Sequence, residues 1–116
     1  MAFVYSRLKD IAYIAGSAAA VVTNGAGAKT YIRCIVLHNT HTSGLATTLY
    51  NVPDSAGSVG TASAANQFYK ETIAPDGIVI LEFPTPGIVL SDTNDTLQAV
   101  CGTADKVTIQ VHGGTE

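Results

Sequence analysis

The sequence predicts an all-β fold, an antiparallel sandwich or barrel of about eight short strands. Three observations carry this reading. No window of the 116 residues sustains the 3.6-residue apolar period of an amphipathic helix. Period-two alternation recurs instead, most strictly over Lys106 to His112, where Val107, Ile109 and Val111 share one face and Thr108, Gln110 and His112 the other. Turn-forming clusters of Pro, Gly, Asn and Asp separate the apolar runs.

The segment Met1 to Ile14 contains Phe3, Tyr5, Leu8 and Tyr13, too apolar for a solvated tail, and is followed by the breaker-like Gly16-Ser17. It reads either as a first strand or as an arm lying on a neighbouring molecule. The chain therefore divides into residues 1–14, strand or interaction arm, and residues 15–116, the β domain. As an arm, the segment is expected to serve attachment more than folding.

Ala19 to Thr23 reads as a short strand, and Asn24 to Thr30 as a flexible connection. In Tyr31 to Leu37, simple alternation places Ile32, Cys34 and Val36 on one face and Tyr31, Ile35 and Leu37 on the other. Both faces are apolar, so the strand is central or offers one face to another subunit. Tyr31, Ile35 and Leu37, together with Phe3, Tyr5, Leu8 and Tyr13, are the candidate partner-binding residues.

Ala46 to Val52 is a Thr-rich strand stopped by Pro53-Asp54. Pro53 to Asn66, rich in Ser, Ala and Gly, reads as a long mobile surface loop. Gln67 to Ile73, the turn Pro75-Asp76-Gly77, and the continuous apolar run Ile78 to Phe83 follow. Pro84 and Pro86 break the chain before Ile88 to Leu90. Thr96 to Cys101 and the final strand, separated by Gly102 to Asp105, read as a hairpin.

Composition narrows the function. Hydrophobic residues are 47% of the chain and charged residues 13%, about half the roughly 25% usual for soluble domains. Such a surface resists self-association poorly, which implies that partners cover much of it; a merely neutral, Thr-rich β surface is the alternative. A net charge of −3 with only six Lys and Arg, scattered, argues against nucleic acid and anionic membrane as partners. Basic Arg7 and Lys9 before an apolar run resemble a signal peptide, but Asp10 interrupts the transition and Gly16-Ser17 cuts the run short. A cytoplasmically made protein is expected, with no spanning segment.

No catalytic, cofactor or metal site emerges. His38 and His41 lack a neighbouring carboxylate to complete a zinc site. Asp92-Thr93-Asn94-Asp95 has the alternate oxygen ligands of a calcium loop but neither its glycine nor its distal Glu, and reads as a turn. Asn24 to Thr30 ends in Lys-Thr without phosphate-loop spacing or a following helix. No G-x-S-x-G elbow is present. Cys34 and Cys101 have no CxxC spacing and read as buried free thiols that could face one another across the core. An enzyme is not expected.

The run Gly27-Ala28-Lys29-Thr30-Tyr31-Ile32-Arg33-Cys34-Ile35-Val36-Leu37-His38-Asn39-Thr40, continued by Thr47-Thr48-Leu49-Tyr50-Asn51-Val52-Pro53, resembles small virion proteins of tailed bacteriophages. In these a Lys-led strand ends in Asn-Thr and a Thr-rich strand ends in Val-Pro. Ile88 to Ala99 resembles their closing unit of apolar strand, acidic turn and apolar strand, with Thr-Asn-Asp-Thr where Gly-Asp-Ser is more usual. The resemblance covers Ala28 to His112. It implies a jelly-roll capsid decoration, or cement, protein that sits on the outside of the capsid, binds the major capsid protein and bridges capsomers as a homo-oligomer, a trimer first. A fibre module binding host-surface glycan through Tyr50, Phe68 and Tyr69 is the alternative, weakened by the absence of Trp.

Overall fold

The computed structural model describes residues 3–116, so Met1 and Ala2 of the N-terminal segment lie outside the described residues. Nine strands follow in order: β1 Val4–Tyr13, β2 Ala19–Thr23, β3 Thr30–Asn39, β4 Leu45–Val52, β5 Gln67–Ile73, β6 Ile78–Glu82, β7 Ile88–Leu90, β8 Thr96–Cys101 and β9 Val107–Thr115. One short 3-10 turn, Ala64–Asn66, precedes β5. Among the described residues no helix is long and apolar enough to cross a membrane.

The strands form two antiparallel sheets, ordered β1-β9-β3-β6 with β7 also on β3, and β2-β8-β4-β5, so β8 and β9 lie in different sheets and are not the hairpin that the sequence suggests. β6 pairs with the second half of β3 and β7 with its first half, both opposite β9, so they are one strand broken in two. Counted that way there are eight. The first then pairs with the eighth, the second with the seventh, the third with the sixth and the fourth with the fifth. This is a long hairpin rolled up until β3 meets β9 and β4 meets β8, the jelly-roll topology.

The break has a local cause. Ile32 pairs with Gly113 and Cys34 with His112, neighbours in β9, so Arg33 is an extra residue that bulges β3. At the same level Pro84 and Pro86, lacking amide donors, end β6. Arg33 satisfies this turn, its carbonyl accepting from Phe83 N at 2.9 Å and its Nε donating to the Pro86 carbonyl at 3.0 Å. Gly87, at φ 88°, returns the chain to β3 where a Cβ would strike the Ile32 carbonyl.

The bulge also corrects the sequence reading of β3. Because it changes the phase of alternation, Ile32, Ile35 and Leu37 all point inward and are fully buried. Ile35 and Leu37 are therefore core residues and not partner-binding ones. They meet Val107, Ile109 and Val111 from their own sheet and Leu49, Leu97, Ala99 and Cys101 from the other. Cys34 belongs to the opposite face, so the two free cysteines do not face each other across the core.

β1 is an integral strand, paired with β9 from Val4↔Thr115 to Tyr13↔Thr108. Leu8 packs on the core and Ile14, just beyond, is buried within it. Two buried asparagines tie the ends of the sandwich. Asn39 donates to the Ser43 and Ile73 carbonyls and accepts from His41 N; Asn24 donates to the Ala28 and Asp92 carbonyls and accepts from Thr30.

Candidate interaction surface

Directly paired residues in an antiparallel sheet project from the same face. The register of the β1-β9-β3-β6/β7 sheet therefore defines its solvent face row by row. One row is Tyr5, Gly114, Tyr31 and Val89; the next is Arg7, His112, Cys34 and Glu82. A third is Gln110, Val36 and Ile80, with Asp10 and Ile11 of β1 together opposite Gln110 where β1 bulges. The fourth is Tyr13, Thr108, His38 and Ile78.

The two flanks of this face are apolar and uncovered. Ile78 is 64% exposed and Ile80 59% on β6, while Tyr5 is 74%, Ile11 59% and Tyr13 55% on β1. More than half of each of these side chains stays in water in the folded monomer. The sole salt bridge among the described residues, Arg7 to Asp10 at 3.3 Å, is an exposed pair on β1. Glu82 on the opposite edge has no basic partner among them.

At one corner Phe3 lies over Gly114, where any Cβ would meet its ring. Its ring centroid is 4.7 Å from that of Tyr5 and 5.5 Å from that of Tyr31, and the Arg33 guanidinium stands 5.1 Å away over its face. Tyr31 donates to Glu116 Oε1 at 2.9 Å, and this bond, ahead of burial, holds its phenol above the ordinary 10.0. The Cys34 thiol is pushed above 9.0 by burial first and the Glu82 carboxylate second, so it stays protonated at neutral pH.

Of the residues singled out from the sequence, Phe3, Tyr5, Tyr13 and Tyr31 are brought together with this face, whereas Leu8 leans on the core. Ile78, Ile80, Ile11 and Val36 were missed. The Ile78–Glu82 strand is apolar on both faces, Val79 and Leu81 turning inward, so no alternation marks its outward residues.

The second sheet is covered differently. Residues 53–66 are fastened to it at two points: Gln98 Nε2 donates to the Gly60 carbonyl and Asn94 Nδ2 to the Gly57 carbonyl, and Gln98 is only 4% exposed. Asp54, Asp92 and Asp95 bring their carboxylates within 4.8 Å of one another. Asp95 already accepts from the backbone N–H groups of Asp54, Ser91 and Asp92, which makes it the organiser of a turn.

No family model, curated protein or solved structure matches the chain.

Proposed function

We propose that this chain is a capsid decoration protein, present in many copies on the outside of an assembled phage capsid, where it binds the major capsid protein and bridges capsomers. The observation that carries the reading is the uncovered apolar face of the five-stranded sheet on a sparsely charged molecule. A monomer in free solution has no use for Ile78, Ile80 and Tyr5 in those positions. A lattice protein does, because weak contacts repeated over a symmetric shell add to firm attachment without any deep pocket. The chain is then made in the host cytoplasm and resides on the virion.

The test is reconstitution. Capsids lacking the chain, mixed with the purified full-length protein, should take it up to a copy number comparable to that of the major capsid protein. Uptake at a handful of copies per particle, or no capsid binding together with binding to host-surface glycan, replaces this reading with that of a fibre module.

A further inference from the structure

The exposed face of the five-stranded sheet is complementary to itself. Its rows run from the β1 edge to the β6/β7 edge, and residues at the two ends of the rows match in kind, Asp10 beside Ile11 excepted. Tyr5 ends one row and Val89 finishes it; Arg7 is answered by Glu82, Ile11 by Ile80, and Tyr13 by Ile78. A two-fold axis lying in this face along the strands keeps every residue at its own level and exchanges the two edges. We infer that the occupant of this face in solution is a second copy of this chain, packed sheet against sheet about such an axis.

In that arrangement Tyr5 meets Val89 of the second copy, Ile11 meets its Ile80 and Tyr13 its Ile78. Arg7 stands between its own Asp10, 3.3 Å away, and Glu82 of the other copy. The axis sets the basic end of this row, on β1, against the acidic end, on β6, while Asp10 shares β1 with Arg7 and remains its partner there. Aligned sheets cross at about 30°, which displaces the ends of a row by about 4 Å, within reach of an arginine. Four strands about 4.8 Å apart and about nine residues long span about 600 Å² of each copy. The pair then buries about 1,200 Å², enough for a specific interface at the lower end of the usual range.

The inference rests on the proposed function only in taking this face to be covered by protein. It is also compatible with a lattice role. Since the axis runs along the strands, the loops at residues 14–18, 40–44, 74–77 and 102–106, which share one end of the sandwich, point the same way in both copies. An isologous pair of this kind is a dimer, in place of the trimer that the resemblance implies.

Sedimentation velocity and native mass spectrometry on the full chain test it without any capsid. The expected result is a concentration-dependent dimer. Ile80→Asp should be monomeric while keeping its β circular dichroism and melting transition. Arg7→Glu and Glu82→Arg should each weaken the dimer about tenfold, and the double variant Arg7→Glu/Glu82→Arg should recover most of the loss. A monomer at millimolar concentration, a trimer, an undisturbed dimer in Ile80→Asp, or a double variant no better than the singles overturns the inference. None of these results bears on whether capsids bind the chain, which the reconstitution measures separately.

Discussion

Ile109 and Thr108 are neighbours in β9 with opposite surroundings. Ile109 is 1% exposed among Leu37, Leu97 and Val107, whereas Thr108 looks out between Tyr13 and His38. Ile109→Ala should cost about 2 to 5 kcal/mol of stability by cavity formation, and Thr108→Ala well under about 1. Urea titration of the two variants reads the register directly, and equal losses would place the strand one residue out of phase. Thr47 presents the reverse case. Its hydroxyl is buried with no hydrogen-bond partner, a desolvated group with nothing in return. Thr47→Val replaces it with a methyl of similar size and should raise stability by about 1 kcal/mol; a fall in denaturation midpoint would mean that the hydroxyl has a partner after all.

At the scale of elements, β1 decides between the two roles open to the N-terminal segment. Along its length it supplies the hydrogen-bonding partner of β9, and Leu8 shields the core from the side. Deleting residues 1–10 turns β9 into an uncovered edge and opens core surface. The truncated chain should therefore be strongly destabilised or aggregate on expression, with its melting transition lowered or lost; a stable, soluble truncated domain would show that β9 does without this partner. The same element shows what the sequence makes legible. Strand positions, the two-sided apolar character of β3 and the break at Pro84 and Pro86 are local, set by alternation, burial demand and missing amide donors. The bulge at Arg33 is not local, because it answers a gap between β6 and β7 some fifty residues away. That one unseen residue sent Ile35 and Leu37 to the wrong face. Residues 53–66 show a related limit: their composition marks a surface loop, but the hydrogen bonds that fasten it to the second sheet come from Asn94 and Gln98, distant in sequence.

For the whole molecule, sparse charge and a bare apolar sheet face occur together, and both are accounted for in the proposed reading by partners that cover the surface. If that cover includes a capsid, the protein should hold the shell against internal pressure, because any separation of bridged capsomers must first strip the bound copies. Each bound copy contributes little, but binding to the closed shell and not to its separated parts shifts the opening equilibrium in proportion to the number bound. Filled particles carrying the full chain should thus withstand temperatures or osmotic shocks that open particles lacking it. Adding back the purified protein should restore the resistance, with genome release followed by dye access to the DNA as the readout. The Ile80→Asp variant adds a discriminating arm: if pairing through the five-stranded sheet is what lets the protein bridge capsomers, this variant should bind without protecting. Particles that open identically with and without the intact protein, despite full occupancy, would leave it a passenger on the capsid and end the stabilising role.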